Sequence, residues 1–409
     1  MSRTYSYFSI MIHYSVLIIL LSFLSEWSNP DNEPVQTETK QWYKGNLHTH
    51  TYWSDGDEYP EMVLDWYRTH DYDFVALSDH NTLSREEKWV KVIKSGSYEK
   101  AFKSYLEKFG NDWVTFKTDS GRTLVKLKTY PEYKKKMEGK DFLIIPAEEI
   151  TDRFEGKPIH LGGINLQTFI SPQGGGSVTE TMQRNVDAVL KQRKETGVPM
   201  FPHINHPNFY YAITIQDMID LHGERFFEVY NGHPLVHNEG DSTRPGTEEM
   251  WDAINIAYFK KNQPLLLGLG SDDSHSYHQF GTTFSNAGRG WVMVFANALE
   301  PHTLIEAMER GDFYASSGVT LNEVKIFKNE LNIKVKPEQG IDYTIEFIGV
   351  TKDSETSKVL KRERGTTGKF KITAQHAFVR ARIISNKAKR NPYREGEFEM
   401  AWTQPVLFQ

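Results

Sequence analysis

The sequence predicts an α/β fold, a barrel over most of its length, followed by a small all-β domain. Three observations lead there. From residue 45 onward, short apolar runs recur, each followed by a polar cluster and then an amphipathic helix. The runs are apolar throughout rather than alternating, so the strands are buried on both faces, as in a parallel sheet. From about residue 321 the period changes to two, which marks half-buried antiparallel strands.

Taken in order, residues 1–28 combine Arg3, an apolar run from Val16 to Leu24 and then serines, a pattern that resembles a secretory signal peptide. The alternative is an uncleaved membrane anchor, because the weaker apolar stretch from Phe8 lengthens the run. On either reading the bulk of the chain is exported, to the periplasm or the extracellular space. Residues 29–41, "NPDNEPVQTETKQ", read as a polar linker. Residues 42–320 form the barrel. Its strands include "DFVAL" before "SDHN", "DFLII" before "PAEEIT", "VPMF" before "PHINHPN", "FFEVY" before "NG", "PLLLGLG" before "SDDSH", and "GWVMVF". Its helices show the matching period: in "SVTETMQRNVDAVLKQRKETG", Val178, Met182, Val186 and Val189 share a face and Gly197 stops the helix. A doubly wound sheet is the other arrangement of such units, but it gathers its ligands at one crossover and usually carries a glycine-rich phosphate loop. Here unusual polar residues end many different strands, as in barrel enzymes. "GGGS" at 174–177 follows "SPQ" rather than a strand and reads as a flexible loop. Residues 84–140 are highly charged, contain a helix-like run and a hairpin-like run, and read as an insertion shaping a pocket wall. Residues 321–409 suffice for a small β-sandwich-like domain whose role is packing or binding.

Composition narrows the function. With 38% hydrophobic and 25% charged residues the chain is a folded protein rather than a disordered one. A net charge of −6 offers no basic stripe for nucleic acid, so a small-molecule substrate is expected. There is no cysteine, which removes thiolate metal sites, cysteine nucleophiles and disulfides.

The chemistry gathers at the strand ends. His48 and His50 in "GNLHTHTYWSDG" are two apart, so on an extended segment both rings project to one side. Asp55 follows in "SDG". His80 ends "DFVALSDH", Glu149 lies in "PAEEIT", His160 in "KPIHLGGINL", His203 and His206 in "PHINHPN", and Asp272, Asp273 and His275 in "GSDDSH". Each has a plain alternative as a turn, loop or core residue. Together, imidazoles and carboxylates converging on one barrel face would meet heavy desolvation and mutual repulsion unless cations were bound. Imidazole and carboxylate without thiolate suit zinc, manganese or iron.

The order H-x-H, D, S-D-H-N, E, H, H-P, D-x-H resembles the PHP (polymerase and histidinol phosphatase) family of metal-dependent hydrolases. "EVYNG", "GSDDSH" and "GDFYASSGV" resemble its exported, carbaryl-hydrolase-like branch. The resemblance implies a distorted seven-stranded α/β barrel with two or three divalent ions. One ion would lie on His48, His50, Glu149 and Asp273. A second would share Glu149 with His160 and His206, and a third would use Asp55, His80 and His275. This sequence has aspartate at 55 where some members have histidine. Glu149 is preferred to Glu148 because it precedes "IT", and Asp273 to Asp272 because D-x-H points both side chains one way. Asp79 and His203 are expected to orient ligands, and Asn231 and Arg289 are candidates for substrate binding. The implied chemistry is attack by a water that bridges two cations, with Asp273 as proton acceptor. A phosphomonoesterase or phosphodiesterase is the first reading. The alternatives are hydrolysis of a carbamate, ester, amide or lactone, and a non-catalytic carbohydrate- or partner-binding protein with a relic metal site.

Overall fold

A computed structural model describes residues 40–93 and 97–408. The expected leader at 1–28 and the linker up to residue 39 lie outside the described residues. Gln41, placed in the linker, opens the first strand instead. Among the described residues no helix is long and apolar enough to cross a membrane.

The chain is mixed α/β. Strand β1 (Gln41–Asn46) leads through α1 (Pro60–Thr69) to β2 (Phe74–Leu77), which pairs with it in parallel. The charged segment after β2 folds as β3 (Trp89–Lys91), α2 (Ser97–Phe109), β4 (Phe116–Asp119), β5 (Arg122–Lys126) and α3 (Tyr130–Met137), its three strands forming a separate small sheet. Val92, Ala101, Tyr105 and Val125 of this insertion pack on Tyr52, Trp53 and Tyr59, in the loop that follows His50. Buried Glu61 clamps it further, accepting from Tyr105 Oη at 2.7 Å and Trp113 Nε1 at 2.6 Å.

Next come β6 (Leu143–Phe154), β7 (Lys157–Ile164), α4 (Val178–Thr196), β8 (Phe201–Ile204) and the single turn α5 (Ile215–Met218). They are followed by β9 (Phe226–Asn231), α6 (Thr247–Lys260), β10 (Leu267–Ser271), β11 (Trp291–Ala296), α7 (Pro301–Glu309) and β12 (Phe313–Ser316). Helix α4 follows its sequence pattern: Ser177 caps it by accepting from the Glu180 N–H, and Gly197 ends it at φ 70°. Val178, Met182, Val186 and Val189 face inward, each contributing about 1.5–3 kcal/mol by burial.

The regular alternation of strand and helix breaks at β7. Strands β1, β2 and β6 are mutually parallel, as are β8, β9 and β10, but β6–β7 and β7–β8 are antiparallel. The cause is local. Glu155 and Gly156 both take positive φ (48° and 82°), the two-residue turn that matches strand twist, so the chain doubles back at once. Strand β11, expected as one more unit of the repeat, instead runs antiparallel to β1. Among the described residues β10 pairs with no strand other than β9, but just past it Ser274 bridges in parallel to Thr49, just past β1.

The C-terminal segment comprises β13 (Leu321–Phe327), β14 (Glu330–Val335), β15 (Tyr343–Thr351), β16 (Lys358–Arg364), β17 (Thr367–Lys371), β18 (His376–Ala388) and β19 (Phe398–Thr403). Strands β13, β14 and β17 form one sheet, and Leu331, Ile333 and Val335 pack against Ile345, Phe347 and Val379 of the facing layer. That facing layer is not a separate sheet. Strand β19 pairs with β12, so the main sheet runs on across residue 320, and the described residues form one compact unit. Buried Arg380 of β18 reinforces the join with ion pairs to Asp252 and Glu248 of α6 at 2.8 and 2.9 Å.

Candidate metal centre

His48 and His50 extend from the end of β1 and are completely buried. The chain there is held on two sides. The Asp273 N–H donates to the His48 carbonyl at 3.0 Å and the His50 N–H to the Ser274 carbonyl at 2.9 Å. Asp79 accepts from Thr51 N, Thr51 Oγ1 and Ser54 Oγ at 2.6–2.8 Å, so it shapes the turn between His50 and Asp55. It positions ligands through the backbone rather than by touching an imidazole.

Glu149 is the centre of the cluster. Its Oε1 lies 3.1 Å from His160 Nδ1, 3.1 Å from His206 Nε2 and 3.3 Å from His48 Nε2. Its Oε2 lies 2.7 Å from His80 Nδ1 and 3.6 Å from His50 Nε2. Asp273 Oδ1 completes the group, 3.2 Å from both His48 Nε2 and His50 Nε2. Asp55, with a half-exposed side chain, stands at the rim, 3.3 Å from His275 Nε2 and 3.5 Å from His80 Nε2.

These spacings and valences fit a divalent ion. A tetrahedral site with ligand bonds of roughly 2.0–2.1 Å has ligand–ligand edges of roughly 3.3–3.4 Å. The contacts of His48 Nε2 and His50 Nε2 with Glu149 and Asp273 span 3.2–3.6 Å. His48 Nε2 and His50 Nε2 are buried without any hydrogen bond among the described residues, which is costly unless something else satisfies them. His48 Nδ1 lies 2.7 Å from Glu228 Oε1, and a carboxylate only accepts. With an ion bound, the proton would therefore sit on Nδ1 and leave the Nε2 lone pair facing the cluster. His275 is fixed the same way, with Nδ1 donating to the Asp273 carbonyl at 2.9 Å.

Four overlapping sets have ligand atoms within 4.8 Å of one another: His50, Asp55, His80 and His275; His48, His50 and Glu149; His48, His206 and Asp273; and His80, Glu149 and His160. All nine residues expected to bind metal therefore meet in one cluster. The partition differs from the expected one in three respects: His50 also reaches the Asp55 group, His206 sets with His48 and Asp273, and His80 also sets with Glu149 and His160. Glu148 and Asp272 turn away. Glu148 Oε1 accepts from the Ile170 N–H, and Asp272 accepts from Tyr67 Oη and from the N–H groups of Gly288, Arg289 and Gly290.

The backbone is under strain at the cluster. His206 (φ 23°) and Asp273 (φ 49°) both take left-handed conformations that side-chain-bearing residues rarely adopt, a cost that gathers at functional sites. Gly162 is required by close approach, since a Cβ there would lie 1.9 Å from His203 Nε2.

Burial alone would push the Glu149 carboxyl up, but His80, His160 and His48 outweigh it and hold it well below the usual range. Asp273 behaves likewise: burial is outweighed by His48, His50 and His275. For His50, burial together with the neighbouring His275 and His80 pushes the imidazole down to about 3, so it is neutral and has a lone pair to give.

Three tentative assignments change. Arg289 is 1% exposed and spends its donors on the carbonyls of Gly232, Gly281, Phe284, Asn391 and Pro392, so it braces the loop behind the site. Asn231, also buried, donates to Glu228 Oε2 at 2.8 Å and Asp273 Oδ2 at 3.1 Å, so it orients a ligand. Among the described residues His203 finds no hydrogen-bond partner for either nitrogen, and it packs between Gly162 and His48.

Glu228, Asn205 and His233 were missed. Glu228 accepts from His48, the His206 N–H, Asn231 and Ser271 Oγ. Its signal was legible: a charge inside the apolar run "FFEVY" is too costly to bury without partners. Asn205 Nδ2 donates to Glu149 Oε1 at 2.8 Å. Replacing Glu228 with Gln is expected to weaken metal binding about 10–100-fold without unfolding the chain, because His48 loses its charged partner. Competition with a calibrated chelator measures this, and unchanged affinity would remove the role.

No family model and no curated protein matches the chain. Among solved structures, the chain is similar to a two-domain protein from Bacteroides vulgatus ATCC 8482 that contains a predicted PHP-like metal-dependent phosphoesterase. The identity is 14%, over 89% of this chain and 95% of that one, with a TM-score of 0.38. It is also similar to a chain from Bifidobacterium adolescentis ATCC 15703 to which metal-dependent phosphoesterase activity is ascribed. There the identity is 13%, over 65% of this chain and 94% of that one, with a TM-score of 0.30.

Proposed function

We propose that this protein is a metal-dependent hydrolase of the PHP kind and that its bond of choice is a phosphoester. The observation that carries the reading is Glu149, whose two oxygens lie within 3.6 Å of five imidazole nitrogens in a buried cluster. The Thr49–Ser274 bridge supports reading β1, β2 and β6–β10 as a distorted seven-stranded barrel. Its amino-terminal pattern supports export.

His48, His50, Glu149 and Asp273 would hold one ion, with Glu149 shared towards His160 and His206, and Asp55, His80 and His275 around a further one. Such cations, when bound, acidify water and neutralise charge on substrate oxygens. The chain's own contribution is positioning and proton handling. Hydrolysis forms a bond from the water oxygen to phosphorus and breaks the bond from phosphorus to the leaving oxygen. Asp273, ionised and oriented by Asn231, accepts the proton that the water loses. His233 stands beside the cluster, its ring 5.7 Å from that of His275. Burial pushes His233 down to about 4, and its Nδ1 accepts from the Leu235 N–H, so the one proton of the neutral ring is on Nε2. That N–H is available to a substrate oxygen as charge builds on it.

Metal analysis combined with turnover of 4-nitrophenyl phosphate and its bis-ester tests the reading. Carboxylic ester and carbamate panels provide the competing arm. Fewer than about one divalent ion per purified chain would leave only the relic-site alternative. Turnover confined to the carbamate or carboxylic ester panel would replace the phosphoester assignment. His233→Gln is expected to lower kcat about 10²-fold with metal content unchanged; an unaltered kcat rejects its role.

A further inference from the structure

Two cavities border the cluster, on either side of His80. The first, of about 360 Å³, lies between the loop after His50 and the insertion, with Asp55 at its lip. The second, of about 420 Å³, lies at the β6–β7 hairpin, with Asn81, Thr151, Arg153 and His160 in its wall. Asp55 Oδ2 is 3.5 Å from His80 Nε2, and the His160 ring is 5.5 Å from the His80 ring, so each cavity is walled by one residue of the same cluster. A phosphomonoester has one substituent and fills one cavity. A phosphodiester has two and uses both.

The linings differ. Tyr52, Tyr59 and Tyr98 make the first cavity aromatic, while Lys88 and Lys91 add two cations. Tyr52 lies parallel to Tyr98, with centroids 5.6 Å apart and planes at 17°. Tyr52 is 7% exposed, so the ring stack forms a packed wall of the cavity and Tyr98 is its more accessible face. Among the described residues the second cavity has no Phe, Tyr or Trp in its wall, and it offers Arg153, Asn81 and Thr151 as polar partners beside the Asp152 carboxylate. The volumes are in the range of small-ligand sites, and the first has the mix of apolar wall and few polar groups that such sites use.

We propose that the substrate is an unsymmetrical phosphodiester. Its aromatic arm, carrying a negative charge, lies in the insertion-walled cavity against Tyr98 and Lys91. Its polar arm lies beside Arg153. This rests on the phosphoesterase reading above. Water adds its oxygen to phosphorus, the P–O bond to one arm breaks, and that arm leaves as an alcohol with a proton, while the other stays on a phosphomonoester.

Phosphinates test the cavities without any hydrolysable bond. Dimethylphosphinate and methylphenylphosphinate carry the same charge and the same two phosphoryl oxygens and differ by one ring. Calorimetry on the metal-loaded protein is expected to give the phenyl compound an advantage of about 10-fold, falling below about 3-fold in Tyr98→Ala while dimethylphosphinate binding is unchanged. A carboxyl group at the ring's far position is expected to add affinity in the wild type and none in Lys91→Ala, an exposed change that spares folding. Replacing the methyl group with hydroxyethyl is expected to add affinity that Arg153→Ala removes. Equal binding of the first pair in the wild type, or a phenyl advantage that survives Tyr98→Ala, overturns the aromatic arm. A hydroxyethyl gain that survives Arg153→Ala overturns the polar arm. Absence of any phosphoester turnover would overturn the proposed function instead, and the phosphinate comparison would still decide what the cavities hold.

Discussion

A Glu149→Gln protein is expected to lose at least about one divalent ion per chain and about 10³-fold or more in kcat/KM while remaining folded. Both carboxylate oxygens of Glu149 are committed, Oε1 to His48, His160 and His206 and Oε2 to His50 and His80. Glutamine keeps the shape and the backbone register of β6, but it brings one oxygen where two are used and removes the charge that opposes the cations. His48→Ala or His50→Ala is expected to abolish metal-dependent turnover for the same reason, each Nε2 being buried and otherwise unpartnered. Asp55→Ala is expected to weaken turnover only, because Asp55 stands half exposed at the rim and touches one of the sets. Elemental analysis of the purified variants, with circular dichroism against metal-stripped wild type, is the check. A Glu149→Gln protein with full metal content and activity would sink the assignment.

Metal affinity is expected to rise steeply with pH, by about 100-fold or more between pH 6 and 8 if one proton leaves per ion. In the metal-free chain, burial by itself would lower His80, but Glu149 and Asp55 outweigh it and push the imidazole up to about 11. His48, His206 and His275 are also raised against burial, in each case by carboxylates of the cluster. His80, at about 11, and His48, raised well above its ordinary value, hold protons at neutral pH and stand in for the cations. An incoming ion must displace those protons, so acid competes with binding and alkali favours it. His50, pushed down to about 3, has no proton to lose and contributes nothing to the slope. Calorimetric titration in buffers of different ionisation enthalpy counts the protons released. A binding constant independent of pH would show that the imidazoles are not the ligands.

How much of this was legible varies with the kind of signal. Helix α4 and the strands "DFVAL" and "FFEVY" could be placed because burial imposes a local period on their own residues. The break at β7 could not, since it depends on how Glu155 and Gly156 turn, and a polar dipeptide is compatible with many turns. The join of β12 to β19 could not either, because residues 314–316 meet residues 401–403 only once the chain between them has folded. Among the site residues, those of unusual chemistry at strand ends stood out. Asn231 and Arg289 were seen but misassigned, because whether a polar side chain faces substrate or a neighbouring carbonyl depends on partners distant in the chain, such as Asn391 and Pro392 for Arg289.

The sequence by itself determined which residue types were available, namely imidazoles and carboxylates without thiols, and that they follow buried strands. Those properties are written in single residues and their near neighbours. Only the tertiary structure decided that Glu149 lies amid five imidazoles, that Asp272 faces backbone while Asp273 faces the cluster, and that two unlike cavities flank His80. Convergence is a property of long-range packing, where His48 meets Asp273 from 225 positions away in the chain, and no local pattern records which side chain ends beside which.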